Sequence, residues 1–264
     1  MATPSNDLVG IENRGRVRVL TMNRPDALNA MNNALMGAIA EALADAEADT
    51  AVAVAVLTGQ GRAFCAGQDL EEMQAILAGT ANILEFPRML RLLTNFSKPL
   101  VAAVNGLGVG IGMTLLAHCD LVLMSADARL KTPFPQLGLA PEAGSSYTFI
   151  ERMGWQNAAY TLMSGRWFDA DECHDMGLVW RICESAELME ETIRVASELA
   201  ENPIPSLVAT KQLLLASGRP ANAWAAHERE IAAYAELLGA PANREAVDAF
   251  VGKRAPDFRR IPGL

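Results

Sequence analysis

Apolar residues recur along the chain at two spacings. From Val17 to Met22 they alternate with polar ones, the period of a strand. Residues 23–26, Asn-Arg-Pro-Asp, break that run. Leu28, Met31, Leu35, Ile39 and Leu43 then fall at helical spacing, which predicts a helix to about Ala48. Residues 52–57 make a short apolar strand, ended by Thr58-Gly59-Gln60-Gly61. Asp69 is placed to cap a helix through Met73, Ile76 and Leu77. A second helical segment covers roughly Ile83 to Phe96, with Pro87 as a break or kink. Leu100–Val104 and residues 121–124 read as strands, with a shorter one around 129–132. Helices are expected over about 145–153 and 155–163. A short helix capped by Asp169 and ended by Gly177 follows, then a last strand over 178–183. After Glu184 only helices are expected, over about 186–201, 206–216, 221–238 and 244–251. Strand and helix thus alternate through two-thirds of the chain, and the remainder is helical. The pattern predicts an α/β core over 1–200 and a helical C-terminal region over 201–264, not two independent folding units.

The stretch Asn105 to Asp120, NGLGVGIGMTLLAHCD, links a strand to a helix. Gly106, Gly108, Gly110 and Gly112 fall within seven residues. Such a turn lets the backbone approach a partner closely, and the first N–H groups of the helix point outwards. Those donors suit a phosphate or an oxyanion formed during reaction. Tight helix–sheet packing explains the glycines equally well. No glycine stands at 111, so G-x-G-x-x-G is not matched, and no G-x-x-x-x-G-K-[ST] occurs.

Composition narrows the choice. The chain has 264 residues, about half apolar and a fifth charged, with a formal net charge of −9. That balance argues against a general nucleic-acid or anionic-membrane surface. Cys65, Cys119, Cys173 and Cys183 form no C-x-x-C and are expected to be reduced. His118, His174 and His227 are too scattered to suggest a metal site, and none is expected. The N-terminal residues carry no secretory pattern, no apolar run is long enough to span a bilayer, and the C-terminal residues are not S-K-L. A cytoplasmic location is the expectation.

Three segments stand together in order: AFCAGQDL (Ala63 to Leu70), NGLGVGIGMTLLAHCD, and TPFPQLGLAPEAGSSYTF (Thr132 to Phe149). With MNRPDALNAM (Met22 to Met31) they resemble the enoyl-CoA hydratase/isomerase, or crotonase, superfamily. The likeness covers about residues 10 to 215. It implies a spiral of ββα units, a helical trimerisation region, and an acyl-CoA thioester ligand. A homotrimer or a dimer of trimers is expected, with no cofactor beyond the coenzyme A of the substrate. The resemblance also implies an oxyanion hole from the backbone N–H groups of Gln68 and Ile111. Ala66, Gly67, Asp69, Leu70 and Gly110 flank these donors as substrate-binding positions. Arg24, Ala27 and Leu28 match the region where the family holds the nucleotide end. Lys211 matches a lysine that can meet CoA phosphates, and a solvated helix lysine is the alternative. Pro133, Phe134, Leu137, Met73 and Trp155 are candidates for the acyl pocket, each equally a candidate for the core.

Family hydratases use two glutamates, whose positions map onto Thr114 and Phe134. Neither is an acid here, so activating water and protonating carbon would lack both groups. Glu142, in Ala140-Pro141-Glu142-Ala143-Gly144, resembles the base of the Δ3,Δ2-enoyl-CoA isomerase branch. One carboxylate suffices for a 1,3-proton shift. The residues alone also allow Glu142 to be a helix N-terminal acid. Apolar Phe134, Leu139, Ala140 and Pro141 would raise its pKa and a helix N-terminus would lower it. The implied function is a Δ3,Δ2-enoyl-CoA isomerase. A divergent hydratase or other crotonase-type reaction, and a non-catalytic acyl-CoA-binding protein, are the alternatives.

Overall fold

The structure, a computed structural model, describes residues 8–80, 82, 84–252 and 254–261. Both stretches read above for sorting signals extend outside the described residues, as does Ile83. β1 (Val9–Arg14) and β2 (Val17–Met22) form an antiparallel pair, followed by α1 (Asn33–Ala48). Three strand–strand–helix units come next. The first is β3 (Val54–Gly59) and β4 (Ala63–Cys65), with α2 (Leu70–Leu77) and α3 (Phe86–Asn95) behind them. The second is β5 (Leu100–Val104), β6 (Leu107–Val109) and α4 (Ile111–Thr114); the third is β7 (Leu121–Ser125), β8 (Leu130–Lys131) and α5 (Ser145–Ser164). β9 (Trp167–Phe168), α6 (Ala170–Asp175) and β10 (Arg181–Cys183) complete the core. Each unit gives its first strand to a six-stranded sheet, ordered β1-β2-β3-β5-β7-β10, and its second to a four-stranded sheet, ordered β4-β6-β8-β9. That alternation is the spiral of ββα units.

The central strands are apolar throughout because both faces are covered. Ala55 and Leu57 of β3 pack with Leu35, Ile39 and Leu43 of α1, whereas Val54 and Val56 join Leu188, Val195 and Ala196 of α7 (Leu188–Ala200). Three further helices follow, α8 (Ile204–Leu215), α9 (Arg219–Leu237) and α10 (Pro241–Val251). α9 turns back onto α5 and α3, and α10 onto the 3-10 turn Pro135–Leu137. Among the described residues, no helix is long and apolar enough to cross a membrane.

Some boundaries differ from the periodicity. α1 starts at Asn33, where the Asn32 side chain accepts from the Leu35 N–H at 2.9 Å. Leu28 and Met31 lie outside it: Leu28 and Asn29 have positive φ, and Met31 bridges to Gln68. Pro87 sits in the first turn of α3, where its missing N–H costs nothing. The two helices expected over 145–153 and 155–163 are both present, joined end to end as α5 across a non-helical Gly154. β1, β4, β6 and β9 were not expected. β1 buries only Val9, so it carries little hydrophobic pattern, and the other three are two or three residues long.

Candidate active site

β4 and β6 are parallel neighbours, so the turns leaving them emerge side by side. Ala66, Gly67 and Gln68 follow β4, while Gly110 caps α4 and Ile111 opens it. The two turns touch through backbone. Gly67 has φ +95°, and a Cβ there would lie 3.0 Å from the Val109 carbonyl oxygen. A methyl group on Gly112 would collide with the Cys65 carbonyl oxygen. Glycine at these two positions therefore sets how closely the strands' ends can approach.

The first turn is fastened to the N-terminal segment. The Ala66 N–H donates to Leu28 O at 3.0 Å, Met31 N–H to Gly67 O at 2.7 Å, and Asp69 N–H to Met31 O at 2.8 Å. In the second turn the Met113 and Thr114 amides go to Gly110 O. Among the described residues, no acceptor is found for the N–H of Gln68 or of Ile111. Two unpaired backbone donors on adjacent strand ends form a place for a developing oxyanion.

Glu142 stands opposite α4. Its Oε1 accepts from the Thr114 hydroxyl at 2.6 Å, and its Oε2 is buried without a partner. The residue as a whole is half-buried, so its carboxyl lies inward of the surface its other atoms reach. Burial pushes the carboxyl from the ordinary 4.5 up to about 8; the Thr114 hydrogen bond opposes this, and the Glu230 charge adds to it. The helix N-terminus after Glu142 does not lower its pKa, because another acid occupies it. The Gly144 and Ser146 amides donate to Glu230 Oε2 and Oε1 at 2.6 and 2.7 Å. The intervening backbone is strained: Ala143 has φ +62°, and its carbonyl accepts from the His118 ring Nε2–H at 2.8 Å. Burial drives that imidazole down to about 4, so it is neutral.

The remaining expected residues divide. Arg24 donates to Ala30 O at 2.5 Å and pairs with Asp69 at 2.9 Å, so its charge is shared with the very residue that caps α2. Burial works to raise the Asp69 pKa, but the Glu72 and Glu71 amides and the Arg24 guanidinium outweigh it and hold the carboxyl below its usual range. Ala27 ends a 3-10 turn and Leu28 follows it in the left-handed region, and Leu70 opens α2 half exposed. Phe134 is buried, Met73, Pro133 and Leu137 half-buried. Lys211 is a correction: it is 6% exposed, its ammonium bonded to Lys98 O and paired with Asp120, both at 2.8 Å. It is neither solvated nor presented to a phosphate, because α8 turns this one residue inward. Trp155 is also corrected, being 70% exposed on α5 and so neither core nor pocket. The sequence carries no sign that His118 and Glu230 belong to the site. Glu230 in particular reads as an ordinary helix acid, and nothing local ties it to a loop 86 residues away. Among the described residues, no three His, Cys, Asp or Glu side chains gather to hold a metal.

The enoyl-CoA hydratase/isomerase family model matches residues 12–260. The chain is 38% identical over 252 residues to a 2,3-dehydroadipyl-CoA hydratase of Escherichia coli K12, covering 94% of this chain and 97% of that one. It is 32% identical to a 1,2-epoxyphenylacetyl-CoA isomerase of the same organism, covering 92% and 94%. A crystal structure of an enoyl-CoA hydratase/isomerase from Pseudoalteromonas atlantica T6c superposes with a TM-score of 0.88 at 34% identity, covering 95% of this chain and 99% of that one. With these matches across nearly its whole length, in the same ββα spiral, the chain belongs to the enoyl-CoA hydratase/isomerase family of the crotonase superfamily.

Proposed function

We propose that the protein is a Δ3,Δ2-enoyl-CoA isomerase that moves a double bond by a single-carboxylate proton shift. One observation carries the reading. The buried acid, Glu142, is hydrogen-bonded to Thr114, which stands where a hydratase of this family has its first glutamate. Thr114 can hold an acid in place but cannot activate water. Phe134 fills the second hydratase position, leaving one acid for the chemistry.

The thioester carbonyl oxygen of a 3-enoyl-CoA binds between the amides of Gln68 and Ile111. Glu142 Oε2, free of other partners, takes the proton from C2. The electron pair delocalises onto the carbonyl oxygen, where the two amides stabilise it. The same carboxyl returns the proton to C4, C2=C3 forms, and C3=C4 is lost. Oε1 stays on Thr114 throughout, which keeps Oε2 aimed at the substrate. The carboxyl's raised proton affinity suits a group that must both take and return the proton. Water exclusion at Oε2 favours return of the proton over its exchange with solvent. The reaction asks for no metal or redox cofactor; coenzyme A enters as part of the substrate.

A homotrimer, or a dimer of trimers, in the cytoplasm completes the reading. Self-association is supported by α8, which leaves Leu213 and Leu214 at 77% and 72% exposure and buries Lys211. Such an apolar face calls for a covering partner.

The decisive assay supplies 3-hexenoyl-CoA and crotonyl-CoA separately. The expected result is a gain of conjugated thioester from the first and no hydration of the second. Glu142→Gln should abolish turnover with the fold intact; near-normal turnover in that variant overturns the reading. The hydratase name of the 2,3-dehydroadipyl-CoA relative favours a second reading, a hydratase working through Glu142 alone. It predicts loss of conjugation from crotonyl-CoA.

A further inference from the structure

Glu230 is a buried acid on α9, in the helical C-terminal region, and it lies 88 residues beyond Glu142 in the chain. Both its oxygens accept backbone donors from the loop that carries Glu142, at the opening of α5. An acid whose two oxygens both accept amide N–H groups at a helix N-terminus is in its ionised form's preferred setting. Its helix is also anchored. The Arg91 guanidinium of α3 stacks on Trp224 at 3.6 Å, and His227, one turn before Glu230, packs against Phe86 and Trp224.

Resting on the reading of Glu142 as the base, we propose that Glu230 is its positioning residue: by drawing the Gly144 and Ser146 amides to α9, it fixes the left-handed turn at Ala143 and Gly144 from which Glu142 reaches Thr114. Ala143 needs such a restraint. A non-glycine residue at φ +62° reverts to ordinary backbone unless its surroundings hold it. The His118 ring holds the Ala143 carbonyl on one side, and Glu230 holds the next amide on the other.

Glu230 acts on the base through charge as well. The groups coupled to Glu142 are Cys65 at the end of β4, and Glu230 and Tyr234 on α9. Burial pushes both Cys65 and Tyr234 up to about 12, so both stay neutral. Burial, the largest influence, raises the Glu230 pKa above its ordinary range, against the pull of the Gly144 and Ser146 amides and the Arg229 charge. The charge Glu230 carries when ionised, held on those two amides, raises the proton affinity of Glu142. A like charge strengthens the grip of Glu142 on a proton, which a proton-returning acid requires.

The test compares wild type, Glu142→Gln, Glu230→Gln and Glu230→Asp with 3-hexenoyl-CoA across pH. Glu142→Gln first checks the underlying reading. If that variant still turns over, the base is misassigned, whatever Glu230 does. Given its inactivity, Glu230→Gln should lower kcat about tenfold with KM within about threefold, and the acidic midpoint of kcat/KM should fall by about one pH unit. Glu230→Asp keeps the charge but is one methylene too short for both amides. It should lose kcat with the midpoint near that of wild type, and it provides the test if the Gln variant does not fold. An unchanged kcat in Glu230→Asp overturns the proposal. So does a Glu230→Gln profile with its midpoint unmoved.

Discussion

Thr114→Val isolates the contact that tunes the base. Valine matches threonine in shape, so α4 packing is retained and only the hydroxyl on Glu142 Oε1 is lost. A hydrogen bond to an ionised acceptor contributes about 1.5–3 kcal/mol. Each pH unit of proton affinity corresponds to about 1.36 kcal/mol, so losing this bond raises the Glu142 pKa from about 8 by about one to two pH units. With the wild-type midpoint near 8, about a tenth of the carboxyl is ionised at pH 7, and in the variant about a hundredth or less. Isomerisation of 3-hexenoyl-CoA at pH 7 should fall about 10- to 100-fold, the gap narrowing to about 1.3- to 4-fold near pH 9.5. Initial rates under kcat/KM conditions across that range measure both quantities. A loss of equal size at every pH, or an unmoved midpoint, refutes the reasoning, since either means Thr114 acts on packing and not on the proton.

Glu142→Gln carries a stability prediction beside its loss of turnover. The folded carboxyl binds its proton more tightly than the unfolded one, so wild type loses stability as pH rises from 4.5 to about 8, by at most about 5 kcal/mol. Calorimetric melting should therefore move in the variant's favour across that window; a difference that does not change with pH contradicts it. Gly112→Ala forces a methyl group into the Cys65 carbonyl, and should cost about 1–3 kcal/mol in urea denaturation and about 100-fold in turnover. A variant as stable and active as wild type would show that the two turns tolerate separation. Leu213→Glu with Leu214→Glu should convert the proposed trimer to monomer in light scattering, and an unchanged mass removes α8 from the interface.

The readable parts were those written in local sequence. Asp69 as a cap, the helices over about 145–153 and 155–163, and the strands over 100–104 and 121–124 each follow from a few consecutive residues. The glycine run reads equally as packing or as anion binding, and the two readings do not exclude each other. Gly67 and Gly112 permit the close contact that sets two amides side by side, so packing creates the donor pair. Lys211 illustrates the opposite case. Its helix has no marked apolar face, and periodicity gives no sign that the charged residue is the buried one. β4 and β6 leave no local signal in the sequence because strands this short are defined by the partner they pair with.

The proton affinity of Glu142 shows most clearly what local sequence leaves open. Its neighbours pull in opposite directions, apolar side chains upward and a helix start downward. The outcome depends on who occupies the helix start. Glu230 takes the Gly144 and Ser146 amides, so the stabilisation that a helix N-terminus offers an anion goes to Glu230. Glu142 keeps one hydroxyl, and burial prevails. An acid freed from the helix end and denied water is a proton carrier, whereas the same residue bonded to those amides would be a cap with a depressed pKa. The distinction between structural acid and base thus rests on a contact made by α9, from a part of the chain whose periodicity suggested only a helical appendage. On the proposed reading the C-terminal helices belong to the chemistry of the site, and removing α9 should disarm Glu142 even where the ββα core still folds.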